Sequence, residues 1–136
     1  MVRLVRSFLA LEAGAFLAAA LVHSGILLHG HEHVKAATAE AVIGLVLCAA
    51  LVATALAPGA SRAAGLWAQG FALVGTLVGL FTIVIGVGPR TAPDLVFHAA
   101  ILALLGAGLA RLWRRPGAVP RGAAARGAPA FRGSTM

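Results

Sequence analysis

Tyrosine is absent from this 136-residue chain, acidic residues number only four, and there is a single cysteine. Cys48 lies inside an apolar run and has no second thiol to pair with, so a disulfide-stapled secreted scaffold is excluded. Charged residues make up 11% of the chain. Typical soluble domains carry about 25%, so this chain cannot cover a core with a water-compatible surface. Apolar residues take the missing share: they are 60% of the total, with a mean hydropathy of +0.95. A disordered chain is thereby excluded too, and a membrane protein is expected. Nucleophile motifs, phosphate-binding loops and nucleotide fingerprints are also lacking, so a binding or transport role is expected ahead of catalysis.

Four apolar stretches stand out: Ser7 to Leu28, Ala36 to Leu56, Ala63 to Val87, and Leu95 to Ala110. Crossing a bilayer core takes about 20 apolar residues. The first three reach that length, and the fourth is extended by Asp94 and Arg111 at its ends and by Trp113 as an aromatic anchor. Trp67 is read as a second anchor at the same interface. Only short connectors separate the stretches, so the expected fold is all-α, an antiparallel bundle of four transmembrane helices over residues 1–115. The Ala18-Ala19-Ala20 run resembles a signal-peptide cleavage region, but the apolar segment is long and contains Glu12, so its retention is expected.

The net charge of +7 is unevenly placed. Arg3, Arg6, Arg62, Arg111, Arg114, Arg115, Arg121, Arg126 and Arg132 fall on one side of the four-span arrangement, with only Lys35 and Arg90 on the other. The positive-inside rule then puts both termini in the cytoplasm of a bacterium, with the chain in its inner membrane. Residues 116–136 are rich in Pro, Gly and Arg and read as a disordered basic tail. Its expected partners are anionic lipids; the three separated Arg-Gly pairs are too sparse to imply nucleic acid. Gly75 and Gly79 form a GxxxG pattern, and Gly14 with Ala18 and Ala15 with Ala19 repeat the spacing, which marks helix contacts within the chain or in a homodimer.

Polar residues inside the spans are expensive and therefore informative. Counted at 1.5 Å per residue, His23, Glu40, Thr82 and His98 lie about 5 to 8 Å inside the outer boundary, one from each helix. Glu12 and Gln69 lie about 8 to 9 Å inside the cytoplasmic boundary. Glu12 and His23 are eleven residues apart, which returns them to within about 20° of one helix face. An outer polar layer of His23, Glu40 and His98 and an inner pair of Glu12 and Gln69 are expected. Hydrogen bonding that locks the bundle's register would account for both layers without a ligand.

The connector His29-Gly30-His31-Glu32-His33 has histidines at alternate positions. In an extended segment these imidazoles share one side, in reach of a common zinc, copper or nickel ion. A solvated polar turn that titrates near pH ~6.5 is the plainer reading. The expected function is transition-metal binding or delivery at the extracytoplasmic face, with His29, His31 and His33 capturing the ion and His23, His98 and Glu40 as deeper ligands. Haem b held between His23 and His98 is a variant of this. Two alternatives stand beside it: proton-coupled transport of a small cation by a dimer with Glu12 as carrier, and a non-catalytic subunit of a larger membrane complex. Thr91 and Asp94 have capping-box spacing with Pro93 in the first turn, and Asp94, four residues before His98, could also orient that imidazole.

The segment from Gly86 through Pro89, Arg90, Thr91, Pro93 and Asp94 to His98 resembles one in small bacterial four-helix membrane proteins of unassigned role, which implies the architecture and no activity. A second likeness is to small multidrug resistance transporters, which have four helices and a membrane-embedded glutamate in the first. Glu12 matches that glutamate and Trp67 their third-helix tryptophan. The inward charge bias and the five histidines depart from that family.

Overall fold

The computed structural model describes residues 2–114; the basic tail expected over 116–136 lies outside them. Helix α1 spans Val2–His23, α2 Val34–Leu56, α3 Ser61–Val84 and α4 Ala92–Trp113, with a single 3₁₀ turn at Pro58–Ala60 before α3. The fold is all-helical, and all four helices are long and apolar enough to cross a membrane.

Helix α1 is displaced by about five residues from the apolar stretch that announced it. Arg3 and Arg6 are accommodated in its first turns. Ile26, Leu27 and Leu28 fall in the loop because the helix stops at a Schellman motif. There Gly25, at φ +78°, donates to the Val22 carbonyl (3.0 Å) and Ile26 to that of Leu21 (3.0 Å). A side chain at Gly25 would face both that left-handed backbone and Glu32, whose Cγ lies 2.9 Å from where a Cβ would stand. Helix α3 ends in the same way: Gly86, at φ +83°, donates to Ile83 (3.2 Å) and Val87 to Thr82 (2.9 Å). Helix α4 is longer than the stretch Leu95 to Ala110, because Pro93 and the Thr91–Asp94 cap start it early and Arg111 to Trp113 continue it.

Helix α1 organises the bundle. Its buried residues Val5, Leu9, Glu12, Ala13, Phe16, Ala20 and His23 recur at helical spacing, and α1 touches all three other helices. Of these, Val5, Leu9, Ala13 and Phe16 share one apolar core with Ile43 and Leu47 of α2, Ala68 and Ala72 of α3, and Ile101, Leu105 and Leu112 of α4. Glycines set the close approaches: Gly44 against Leu17, Gly65 against Val5 and Leu112, and Gly75 against Ile43. The Gly75–Gly79 pair thus serves contacts within the chain, to α2 and α4. Gly14 and Ala18 instead face outward, with nothing within 4 Å of Gly14's missing Cβ.

Three arginines close helix ends, two of them across the bundle and the third from the loop that follows. Arg6 donates from Nε to Thr54 Oγ1 (3.2 Å) and from Nη2 to the Thr54 carbonyl (2.7 Å), at the end of α2. Arg62 donates to the Leu112 carbonyl at the end of α4 (3.1 Å), and Arg90 to those of Ile83 (2.7 Å) and Val84 (2.8 Å) at the end of α3. Each pairs a cation with the partial negative charge of a helix C-terminus. These bonds bring the starts of α1 and α3 beside the ends of α2 and α4. One end of the bundle therefore carries most of the described arginines and exposed Trp67 and Trp113, and the other carries all five histidines.

Candidate functional site

The polar layer at the histidine end is built on His23, the last residue of α1. Its Nδ1 lies 2.7 Å from Glu40 Oε2 on α2, and its Nε2 lies 3.0 Å from Asp94 Oδ1 on α4. All three side chains are buried. Both ring nitrogens meet carboxylate oxygens, which only accept, so a ring satisfying both carries two N–H groups. One imidazole and two acids thus form a compact ion network shared by three helices.

Asp94 does two jobs. Its Oδ2 accepts from the Thr91 amide (2.9 Å) and the Thr91 hydroxyl (2.6 Å), closing the cap of α4, while Oδ1 reaches His23. The sequence announced the cap and offered His98 as Asp94's imidazole. The carboxylate turns to His23 instead, because an i, i+4 neighbour on the same helix meets the backbone first. His98 Nδ1–H donates to the Asp94 carbonyl at 2.8 Å. Only four acids are present in the chain, and that scarcity was the one signal that could have marked Asp94 for His23.

The six residues proposed as metal ligands do not form one site. Among the described residues no group of three His, Cys, Asp or Glu is placed to hold a metal ion. His33 is the N-cap of α2: its Nδ1 accepts from the Ala36 amide (3.2 Å) and its Nε2–H donates to the Val87 carbonyl (3.2 Å). Its ring nitrogens are therefore spent on backbone. His29 is exposed, with Nδ1 3.6 Å from Glu32 Oε1. The loop folds back rather than running extended, so the alternate spacing does not gather the rings: the His33 amide donates to the His23 carbonyl (2.8 Å), and the Gly30 amide donates to Glu32 Oε2 (2.8 Å). The amides of Glu32 itself and Gly30 hold the Glu32 carboxyl below the usual carboxylate range. Of the two histidines expected to hold haem, His23 has both ring nitrogens on carboxylates, and His98 has Nδ1 on the Asp94 carbonyl.

Two cavities flank the ion network. The outer one, about 150 Å³, is lined by His23, Asp94, His31, Glu32 and Arg90 among others. The inner one, about 160 Å³, reaches deeper between the helices and is walled by Glu40, His98, Phe16, Ile43 and Phe97 together with the glycines of α3, while His33 and Pro89 border both cavities. Phe97 stands edge-on to both Phe16 (5.9 Å between centroids) and His98 (5.7 Å). The Asp94–His23–Glu40 chain thus runs from one cavity to the other.

The expected inner pair lies deeper than its sequence count. Glu12 is the eleventh of the 22 residues of α1, at its middle, because the helix begins at Val2 rather than Ser7. Glu12 and Gln69 are both fully buried, and none of their four polar side-chain atoms has a hydrogen-bond partner. They do not bond each other. Gly108 makes room for Gln69, whose Oε1 lies 2.5 Å from where a Cβ would stand.

No protein-family model, curated protein or solved structure matches this chain.

Proposed function

We propose that the protein is an integral membrane protein whose four helices cross the bilayer antiparallel, with the arginine-rich end in the cytoplasm, and that it conducts protons across that bilayer, the first step being a relay from its outer cavity to a second cavity deeper between the helices. No more than 33% of the most apolar window of any helix is buried within the bundle, which leaves a broad apolar exterior suited to lipid. The relay reading is carried by one observation: Asp94, His23 and Glu40 form a continuous hydrogen-bonded chain whose two ends line different cavities. An imidazolium between two carboxylates can release the proton on one nitrogen and, after the ring reorients, take up another from the opposite side. Placed in a buried network, such a chain moves a proton without opening a water path.

The test uses purified protein in liposomes loaded with a pH-sensitive dye. Under an imposed potassium diffusion potential, internal acidification should exceed that of empty liposomes. His23→Gln should reduce the excess rate by about a hundredfold, the scale of a removed general acid and base. Proton flux equal in the variant and the parent rejects the relay.

Glu12 supports a second reading, the proton-coupled exchange of a small cation. A buried carboxyl without a partner calls for a proton, a cation or a water to meet it. In that case Glu12→Gln abolishes cation-driven proton movement while leaving the potential-driven flux through His23 intact.

A further inference from the structure

The polar atoms facing the inner cavity share one property. Thr76 and Thr82 line it, but their hydroxyl protons are committed to the Ala72 carbonyl (2.8 Å) and the Gly79 carbonyl (2.7 Å), leaving oxygen lone pairs. His98 commits Nδ1–H to the Asp94 carbonyl, so in the neutral ring Nε2 is an acceptor. Glu40 uses Oε2 for His23, and its Oε1 has no protein donor among the described residues. His33 spends its N–H on Val87. What faces the cavity is therefore a set of acceptors framed by aromatic and aliphatic walls. Lys35 is the exception, exposed in the first turn of α2 at the rim.

We infer that this cavity binds a neutral, lipid-soluble ring molecule carrying a hydroxyl donor, of the phenol or hydroquinone class, with the hydroxyl on Glu40 or His98 and the ring beside Phe16 and Phe97. Its volume of about 160 Å³ is close to that of engineered apolar cavities that take up benzene. An acyl chain would leave the acceptors unmatched, and a ketone or ether would set acceptor against acceptor. An ammonium would satisfy them, but it would have to shed its hydration inside an apolar chamber that already has Lys35 at its rim. A hydroxyl meets both demands at lower cost. The inference rests on the relay reading for the cavity's place inside the membrane, and it supplies that relay with a ligand bearing an exchangeable proton.

Full-length protein in detergent micelles, with its histidine nitrogens isotopically labelled, is titrated with p-cresol, p-methylanisole and benzylammonium. p-Cresol should shift the His98 Nε2 resonance and bind about five- to tenfold more tightly than p-methylanisole, the value of one hydrogen bond between otherwise matched ligands. Gly79→Ala places a Cβ 3.0 Å from His98 Nε2 and leaves the ion network untouched, so it should remove that preference. Glu40→Gln should weaken p-cresol similarly; if that variant does not fold, Gly79→Ala decides alone. Equal affinity for the phenol and its ether, tighter binding of benzylammonium, or p-cresol binding unaffected by Gly79→Ala each overturns the assignment. Selective p-cresol binding by a protein that shows no His23-dependent proton flux upholds the pocket and discards the relay.

Discussion

Glu12 and His23 share a helix face and have opposite fates. His23 finds two carboxylates because it stands at the helix end, where Glu40 from the second turn of α2 and Asp94 from the first turn of α4 both reach it. Glu12 stands mid-helix, where its neighbours in the core are apolar, and finds nothing. A buried polar group without a partner costs about 1 to 3 kcal/mol, and replacing it with an apolar side chain of similar size removes that cost. The double variant Glu12→Met, Gln69→Leu removes two such groups and is therefore expected to raise unfolding stability by about 2 to 6 kcal/mol, read as a higher midpoint in a thermal melt in detergent. A fall in stability instead means that both groups are satisfied in solution by water or a bound ion. His23→Gln goes the other way, since it strands two buried carboxylates.

The helices are bounded by devices of very different visibility. The capping box at Thr91 and Asp94 can be read from spacing alone, and it is present. The Schellman ends at Gly25 and Gly86 escape a reading based on apolar length, because the hydrophobic run continues through Leu28 in one case and Val87 in the other. What stops the helix is a local backbone preference that glycine permits, and the apolar residues beyond simply fall outside it. Gly25→Ala should cost about 1 to 2 kcal/mol through its left-handed φ alone, with Glu32 adding to it. Gly14→Ala, on the outward face of α1, should instead stabilise by about 0.5 to 1 kcal/mol. Chemical denaturation of the two variants side by side checks the contrast, and similar effects at both sites would refute the assigned end of α1.

At the scale of the whole molecule, charge is sorted along the bundle axis. Arg3, Arg6, Arg62, Arg111 and Arg114 gather at one end, and the same arginines that announce a cytoplasmic side also close helices: Arg6 for α2 and Arg62 for α4. Their second role was hidden, since nothing in a linear run of residues says which carbonyls a distant helix leaves open. Orientation is checked with Cys48→Ser as background. His31→Cys should react with a membrane-impermeant maleimide from outside intact cells, and Ser134→Cys only after the membrane is opened. Labelling of both from one side contradicts the proposed topology.

Composition and period alone determined that this chain is four apolar helices, because those signals depend only on neighbours in sequence and on the cost of burying charge. They also determined that its rare polar side chains turn inward. Which of those side chains meet was decided by tertiary structure. The loop after α1 folds back, spends His33 on backbone and leaves His29 outside, and α4 starts early enough to deliver Asp94 to His23. Pairing between groups 17 and 71 residues apart depends on where each helix stops, to within a single residue, and that placement is a property of packed ends rather than of any one segment.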